Sequence, residues 1–241
     1  MSTYFISDLH LQEAHPQMLQ GFYDYLSNLN DAKALYILGD FFEVWIGDDY
    51  ENDLIIGVKS ALKALSERGT KIHIMHGNRD FLIGEDFCKQ TNSTLLPDPS
   101  VIDLDGTKVL LMHGDSMCTK DAAYMKMRPM LRNPMMQKQL LSQTIEQRLA
   151  MATHMRGESQ KGNQMKSDEI MDVTPEEVDR VMTEHGVHTL IHGHTHRPYD
   201  HYWQHENQDR RRIVLGDWSD TNGWQIKHTT ESGFVLSKFS F

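Results

Sequence analysis

Two short stretches near opposite ends of the chain each carry a pair of polar residues of the kind that binds metal ions. The first is "YFISDLHL", where Asp8 and His10 follow an apolar run, and the second is "HGHTH", which contains His194 and His196. In an extended chain, residues i and i+2 lie on the same face. Carboxylates and imidazoles ligate first-row divalent ions. Each pair alone is equally well explained as ordinary loop polarity, so the rest of the chain decides between the two interpretations.

Three further residues of the same chemical kind follow apolar runs: Asp40 in "LGDFFE", Asn78 in "HGNRD" and His113 in "MHGD". Taken singly, an Asp after Gly is usually a turn or a helix cap. Together, the seven residues follow five predicted strands, and ligands of open α/β sheets bind outside the carboxyl ends of strands. Seven oxygen and nitrogen ligands exceed one tetrahedral site and suit two octahedral ions that share a carboxylate. We therefore predict a binuclear site, with Mn²⁺, Fe²⁺ and Zn²⁺ all left open by the ligand types.

The segments between these residues have the pattern of an α/β fold. Six β-rich apolar runs each end in a polar cluster: "YFISDLH", "ALYILGDFFE", "KIHIMHGNRD", "KVLLMHGD", "HTLIHGHTH" and "RRIVLGDWS". Helical patterns with apolar residues at i, i+3, i+4 and i+7 separate the first runs. They comprise Leu19, Phe22, Tyr23 and Leu26 in one helix, and Val58, Ala61, Leu62 and Leu65 in the next, which Gly69 ends. Strands that alternate with helices predict βαβ units and a substantial parallel sheet.

A third helix is predicted after the "TPEEV" stretch. Thr174 is placed as its N-cap, Pro175 at its first position and Glu177 at its third, which is the pattern of a capping box. Gly186 is expected to end this helix.

The composition limits the classes of protein to which the chain can belong. Its 241 residues are 39% hydrophobic and 24% charged, which predicts one sizeable globular α/β body with an inserted piece. Two cysteines do not form a disulfide framework, so we expect a reducing compartment. The net charge of -10 argues against nucleic-acid binding, and no feature indicates an obligate protein partner. We see neither a signal peptide nor an apolar run of the roughly 18–20 residues that a membrane-spanning helix needs.

Residues 121–167 are predicted to form an inserted helical cap over a core made of residues 1–120 and 168–241. Nine basic and three acidic residues lie between Lys120 and Lys166, inside a chain whose net charge is -10. Nine of the fifteen methionines lie between Met117 and Met165. A helical hairpin with a methionine-filled core is the simpler explanation of this pattern. A flexible apolar surface beside a basic one also suits an amphiphile with a charged head, and we favour that interpretation.

The order Asp-x-His, Gly-Asp, Gly-Asn, His and Gly-His-x-His resembles the signature of the calcineurin-like metallophosphoesterases. The resemblance implies a two-sheet sandwich flanked by helices, with two metal ions. It also implies a ligand set for each ion, with Asp40 shared. One ion would take Asp8, His10, Asp40 and His196, and the other would take Asp40, Asn78, His113 and His194.

One position departs from the pattern of this superfamily. Most members have His after Gly-Asn, whereas this chain has Arg79 in "GNRDF". An arginine cannot act as a general acid at neutral pH, but its planar fork binds phosphate oxygens. We therefore expect Arg79 to be a phosphate clamp, with a surface ion pair as the alternative.

The stretches "GNRDF", "LGDFFEVWIGDD", "MHGDSMCTKD" and "LIHGHTHRP" further resemble the family of UDP-2,3-diacylglucosamine hydrolases of Gram-negative bacteria. The resemblance implies a step of lipid A biosynthesis. The enzyme would cleave the pyrophosphate bond through water attack on the α-phosphorus, with Mn²⁺ as the preferred ion, and release UMP and 2,3-diacylglucosamine 1-phosphate (lipid X). It would work as a peripheral protein on the cytoplasmic face of the inner membrane, with the basic cap facing anionic headgroups.

The same resemblance implies roles for individual residues. Asp40, Arg79 and His194 would be catalytic. The substrate contacts would be Asn78, Arg79, Asp121, Ser159, Asn163, Lys166 and His194. Two other functions are weighed against this one. One is the same metal chemistry on a water-soluble sugar nucleotide or phosphodiester. The other is a non-catalytic scaffold, although a scaffold would normally have lost some of the seven ligands.

Overall fold

Eleven strands and seven helices are seen in residues 1–164 and 170–241, which are the residues that the computed structural model describes. The strands are β1 (Ser2–Ile6), β2 (Ala32–Leu38), β3 (Lys71–Met75), β4 (Ser93–Leu96), β5 (Ser100–Leu104), β6 (Thr107–Met112), β7 (Thr189–His192), β8 (Tyr199–His205), β9 (Gln208–Val214), β10 (Asn222–Thr229) and β11 (Gly233–Ser240). The helices are α1 (Pro16–Asn28), α2 (Asp53–Glu67), α3 (Glu85–Thr91), α4 (Ala122–Leu131), α5 (Pro134–Leu141), α6 (Ile145–Gln164) and α7 (Pro175–Glu184).

The strands form two sheets. The first has the order β11-β10-β1-β2-β3-β4, in which β1 to β4 run parallel and β10 and β11 are antiparallel. The second has the order β5-β6-β7-β9-β8, with β6, β7 and β9 parallel and antiparallel strands at both edges. The predicted α/β sandwich is confirmed, and all six β-rich runs of the sequence analysis are strands.

Alternating side chains on each parallel strand join the sheets to each other and to the helices. On β2, Tyr36 and Leu38 point between the sheets and pack in one cluster with Ile191 of the second sheet. Leu35 and Ile37 point the other way, into a cluster with α1 and α2. Both faces of β2 are therefore buried, which explains why this strand is a continuous apolar run.

The second sheet repeats this arrangement on its own outer face. On β6, Leu111 belongs to the cluster between the sheets, whereas Leu110 packs with Val178 and Met182 of α7. The layers are thus helix, sheet, sheet, helix. Because both sheets present parallel strands, the carboxyl ends of these strands meet along one edge of the sandwich.

Helix α7 begins where predicted, but its capping box does not form. Thr174 is the N-cap and Pro175 the first helical residue, yet the Thr174 side chain caps no backbone N–H. Its hydroxyl lies 2.6 Å from that of Thr119 instead, and Glu177 pairs with Arg180 one turn further along. The prediction of a capping box was therefore wrong, because a long-range contact to Thr119 and an ion pair to Arg180 replace its two hydrogen bonds.

The predicted helical insert contains three consecutive helices, α4, α5 and α6. Asp121 caps α4, since its carboxylate accepts from the backbone N–H of Tyr124. Asn133 caps α5, and Pro134 is the first residue of that helix. Residues 165–167 of the insert lie outside the described residues, so its boundary at 167 stays a prediction.

We predict that packing of α2 against the first sheet contributes strongly to stability. Leu62 is fully buried in the cluster between α2 and this sheet, so Leu62→Ala should lower the free energy of unfolding by about 2–5 kcal/mol. Ile56, on the same helix, is 49% exposed, and Ile56→Ala should cost far less. Urea unfolding of both variants measures the difference, and equal losses would contradict this packing.

Candidate metal centre

All seven predicted ligands follow the carboxyl ends of five parallel strands. Asp8 and His10 follow β1, Asp40 follows β2, and Asn78 follows β3. The remaining three follow strands of the second sheet: His113 after β6, and His194 and His196 after β7. The structure brings residues from the whole length of the chain to one edge, as the sequence analysis predicts.

Five of these seven residues have a left-handed backbone conformation. The φ angles are 56° for Asp8, 50° for His10, 49° for Asp40, 68° for His194 and 55° for His196. This conformation costs a residue with a side chain roughly 1–2 kcal/mol, and such residues concentrate at functional sites. The turns that end β1, β2 and β7 are therefore held in costly conformations that aim these side chains at one place.

Three of the ligands form a first group, made of Asp8, His10 and His196. The Nε2 atoms of the two histidines face each other at 3.2 Å, and His196 Nε2 lies 3.4 Å from Asp8 Oδ1. Two nitrogen ligands of one ion, each about 2.1 Å from it, are separated by a similar distance. The donor atoms therefore fit a single divalent ion.

A second group consists of Asp40, His113 and His194, and Asn78 adjoins it. His113 Nε2 is 3.0 Å from the Asn78 side-chain oxygen and 3.6 Å from Asp40 Oδ1. The other oxygen of Asp40 points to the first group, 4.0 Å from His10 Nε2. Asp40 thus has one oxygen on the side of each group, which is the arrangement that a bridging carboxylate requires.

His113 and His196 each have an oxygen near the ring nitrogen that faces away from the two ligand groups. His113 Nδ1 lies 2.9 Å from the Leu38 carbonyl, which fixes Nδ1–H as the donor and leaves Nε2 to bind a metal. His196 Nδ1 lies 3.6 Å from Asp217. Oxygens in this position orient metal-ligating histidines and raise their basicity, so the surroundings also fit a metal centre.

Glycines allow the loops to approach each other this closely. A Cβ at Gly77 would lie 2.1 Å from the side chain and backbone of Asp40, and a Cβ at Gly193 would lie 2.2 Å from Asp8 Oδ2. Asp8 in turn accepts from the backbone N–H of His194, with a distance of 2.9 Å, so it ties the two sheets together. A side chain at Gly77 would clash with Asp40, and one at Gly193 would clash with Asp8, so either would push the loops apart.

The aspartates and histidines of the cluster shift each other's pKa values. Burial raises the pKa of Asp8, but the hydrogen bond and charge of His196 outweigh burial and hold that pKa well below its usual range. Burial lowers the pKa of His113, but Asp40 and Asp115 outweigh it and raise the pKa to about 9. Without bound ions, the buried carboxylates are therefore neutralised by protonated imidazole.

Two buried aspartates that the sequence analysis did not assign support the centre from outside. Asp80 accepts from the backbone N–H groups of Phe41 and Gly77, both at 2.7 Å, and so joins the loops that carry Asp40 and Asn78. Burial and the nearby Asp40 raise the pKa of Asp80 to about 6. Its place in "GNRDF" is the signal that could have identified it.

The second of these aspartates, Asp115, joins the centre to α4. It pairs with Arg128 at 2.8 Å and accepts a hydrogen bond from the hydroxyl of Tyr124. The Tyr124 ring stacks over His194, with 6.4 Å between the ring centroids. An aromatic residue of the insert therefore lies directly against a predicted metal ligand.

A cleft runs from the centre between the core and helices α4–α6. Asn78 and Arg79 line its inner end. Its walls are mainly apolar, with Trp45, Ile46, Phe81 and Leu82 from the core and Met127, Leu131, Leu140, Met151 and Met155 from the helices. The methionines of the insert thus face the core across a cavity.

Arg79 lies where the cleft meets the metal centre. Its Nε is 3.4 Å from Asp40 Oδ2, and its Nη1 is 3.1 Å from Glu43 Oε1. Arg79 is only 16% exposed, so its ion pairs with Asp40 and Glu43 are not surface pairs, and its role as a phosphate clamp stays a prediction.

The predicted substrate contacts in the insert are only partly described. Asp121 serves as the N-cap of α4. Ser159 and Asn163 belong to the last turns of α6, where the description covers the backbone only, and Lys166 lies outside the described residues. The roles of these four residues stay predictions.

A family model described as calcineurin-like phosphoesterase matches residues 1–198 of the chain. A solved structure titled "Structural and Functional Characterization of a Novel Archaeal Phosphodiesterase" aligns over 100% of both chains with a TM-score of 0.51 at 12% identity, which shows a shared fold. The chain belongs to the calcineurin-like phosphoesterases, as its motifs predict.

Curated relatives are similar over nearly their whole length. One from Chromohalobacter salexigens is 51% identical over 242 residues, which cover 100% of this chain and 98% of the relative. One from Pseudomonas putida is 54% identical over 237 residues, which cover 98% of each. Both relatives are named UDP-2,3-diacylglucosamine hydrolase, and within the calcineurin-like phosphoesterases this chain belongs to their family.

We predict that Asp80→Asn weakens divalent-ion binding by about tenfold or more, because a side-chain amide offers only one acceptor oxygen for the two backbone N–H groups. Isothermal titration with Mn²⁺ measures the affinity. Asp103, an exposed residue of β5 whose carboxylate accepts from the Gly106 N–H, supplies the matched control Asp103→Asn, which should bind Mn²⁺ like the parent. Unchanged affinity in Asp80→Asn would refute a positioning role.

Metal binding should also depend on pH. His113 must lose its proton to become a ligand, and its pKa in the metal-free chain is raised to about 9. The apparent affinity for Mn²⁺ should therefore rise with pH by up to about tenfold per unit and level off above about pH 9. Titration between pH 6.5 and 8.5 in two buffers of different ionisation enthalpy measures the proton released. No proton release would contradict the charge state described above.

Proposed function

We propose that the chain is a divalent-metal-dependent hydrolase that cleaves the pyrophosphate bond of UDP-2,3-diacylglucosamine. The products are UMP and 2,3-diacylglucosamine 1-phosphate (lipid X), and the reaction is a step of lipid A biosynthesis. The family of the chain supports the substrate class. The observation that carries the proposal is the junction of a two-group metal centre with a mainly apolar cleft.

This junction matches the two halves of the substrate. The diphosphate needs cations and donors, which the ligand groups, Asn78 and Arg79 supply at the inner end of the cleft. The acyl chains need apolar surface, which the methionine-lined walls supply along its length. A water-soluble nucleotide would leave those walls exposed to water, so the cleft favours the diacylated substrate.

Two divalent ions, when bound, activate water and stabilise charge on the attacking and leaving oxygens of an in-line displacement. The first ion would be held by Asp8, His10, Asp40 and His196. The second would be held by Asp40, Asn78, His113 and His194. We propose Mn²⁺ for both positions, on the basis of the family resemblance, since the ligand types do not separate Mn²⁺ from Fe²⁺ or Zn²⁺.

The side chains around the centre orient the diphosphate and stabilise its transition state. Arg79 offers a planar guanidinium fork that grips phosphate oxygens and does not transfer a proton. His194, which lies against Tyr124, would also stabilise the developing negative charge. Water attacks the α-phosphorus, which is bonded to uridine. The bond from this phosphorus to the bridging oxygen breaks, and the phosphate of lipid X departs with that oxygen.

Residues 121–167 would act as a cap that closes over the bound lipid. Helices α4–α6 supply one wall of the cleft. Asp121, Ser159, Asn163 and Lys166 would contact the uridine, sugar and diphosphate groups, a role that rests on the family resemblance alone.

A lipid substrate has to be taken from a membrane, and we propose that α4 and α5 contact the inner-membrane surface from its cytoplasmic face. Met130 and Met135 are 58% and 82% exposed, and Lys126 and Lys138 are exposed beside them. Apolar and basic residues together bind anionic bilayers. No helix among residues 1–164 and 170–241 is long and apolar enough to cross a bilayer.

The arginines of the insert do not share this surface. The expectation from the sequence is a basic cap that faces headgroups, whereas four arginines turn towards the core. Arg128 pairs with Asp115, Arg132 donates to the Gly77 carbonyl, Arg148 pairs with Asp49, and Arg156 pairs with Glu43. Acids and carbonyls of the core attract these guanidiniums, so the exposed Lys126 and Lys138 are the basic residues that we propose to face the membrane.

The reaction is tested by mass spectrometry of the products formed in ¹⁸O-labelled water with Mn²⁺. Diacylated UDP-glucosamine should give UMP that carries ¹⁸O and unlabelled lipid X. UDP-glucosamine without acyl chains should react at least about tenfold more slowly, since it forgoes burial of apolar surface in the cleft. Label in lipid X would place the attack on the other phosphorus, and equal rates would favour a soluble substrate.

Membrane contact is tested by flotation with vesicles that contain phosphatidylglycerol. The double change Met130→Ser and Met135→Ser should weaken binding by about tenfold or more, because it removes two apolar side chains from the bilayer interface. Val235→Ser, at a residue of β11 that is 45% exposed, is the matched control and should bind like the parent. Equal binding of all three proteins would contradict this contact surface.

A further inference from the structure

Glu43 contacts three functional groups at once, although nothing in the motif analysis singles it out. Its Oε2 lies 3.2 Å from His10 Nδ1, the ring nitrogen that faces away from the first metal group. Its Oε1 lies 3.1 Å from Nη1 of Arg79 and also pairs with Arg156 of helix α6. One carboxylate therefore joins a metal ligand, a phosphate clamp and the insert.

The backbone holds Glu43 in this position. The loops after β1 and β2 run side by side, and the backbone N–H of Glu43 donates to the carbonyl of Leu11, the residue after His10. Leu11 also pairs with Phe42 in an isolated parallel bridge. Because the two loops are paired, the backbone of Glu43 is held beside the turn that carries His10.

Burial makes the three contacts of Glu43 significant. The carboxylate is 14% exposed and faces two guanidiniums that are 16% and 27% exposed. Burial raises the pKa of Glu43, but His10, Arg79 and Arg156 outweigh it and hold that pKa below its usual range. Removal of this one negative charge would leave two partly buried arginines facing each other.

A second ion pair holds α6 further along the cleft. Arg148 is 3% exposed, donates to the Ile46 carbonyl at 2.6 Å and forms a two-pronged pair with Asp49 at 2.7 and 2.5 Å. Arg148 and Arg156 are eight residues apart, or about 12 Å along the helix. The part of α6 that lines the cleft is thus held at two points, and only the Glu43 contact reaches the metal centre.

We propose that Glu43 is a positioning residue that couples the insert to the first metal group. It orients His10 through Nδ1, and it holds Arg79 and Arg156 together at the inner end of the cleft, where an anionic ligand enters. If the proposed function is right, the substrate's diphosphate meets two guanidiniums whose spacing Glu43 sets. Glu43 then joins the insert to the metal centre, so that removal of its charge affects both, whereas removal of Arg156 loosens only the insert.

The test compares three variants of the full chain by Mn²⁺ titration and by hydrogen exchange of peptides from α6. Glu43→Gln keeps the shape of the side chain and removes its charge. It should weaken the affinity for Mn²⁺ at the first metal group by about tenfold or more. It should also speed hydrogen exchange in residues 152–158 severalfold. Arg156→Gln should speed the same exchange and leave Mn²⁺ affinity within about twofold of the parent.

Asp49→Asn is the matched control, because it releases α6 at the other ion pair. It should speed exchange around residue 148 and leave Mn²⁺ affinity unchanged. Unchanged Mn²⁺ affinity in Glu43→Gln, or unchanged α6 exchange in Arg156→Gln, would overturn the proposal. The exchange measurement on Arg156→Gln does not depend on whether Glu43→Gln folds. Neither readout uses a substrate, so a failure of the proposed reaction would be seen separately in the product analysis.

Discussion

The burial of Asp8 and Asp40 at the junction of the two sheets is the constraint on which the rest of the structure depends. Neither carboxylate is more than 2% exposed, and a buried charge without partners is too costly to keep. Asp8 is satisfied by Ser7 and the His194 backbone, and Asp40 by the Arg79 backbone, but both still require positive charge. Imidazoles supply that charge in the metal-free chain, and divalent ions would supply it in the working enzyme. The left-handed turns and the closely packed glycines follow from the need to bring these groups together.

The same excess of negative charge accounts for how helices α4–α6 attach to the core. Asp115 and Glu43 lie beside the centre and Asp49 lies further along the cleft, and each pairs with an arginine from the insert. The insert is therefore held mainly by ion pairs above a cleft lined with apolar side chains. Such an attachment can hold a wall in place while the cleft still admits a lipid, since little apolar surface is buried between the helices and the core.

Much of this arrangement was predictable from the sequence. The β-rich runs and their terminal Asp, Asn and His residues carry the fold and all seven candidate ligands, because strand periodicity and polar loop ends are local signals. Glu43, Asp80 and Asp115 were not found, since their function lies in long-range contacts to Arg156, Phe41 and Arg128. The sequence also does not show in which direction the arginines of the insert point. Local composition records that they are basic, and only the folded chain shows which acids they meet. Thr174 is the opposite case, in which a local capping signal loses to a contact with Thr119.

The central claim is that five strand ends build one centre for two ions that share Asp40. Anomalous diffraction from crystals of the full chain grown with Mn²⁺, recorded at the manganese edge, tests it most directly. The account predicts two manganese peaks about 3.5–4 Å apart. Asp40 should coordinate both ions, either through one shared oxygen or through one oxygen to each ion. A single peak, or two peaks of which only one contacts Asp40, would contradict it.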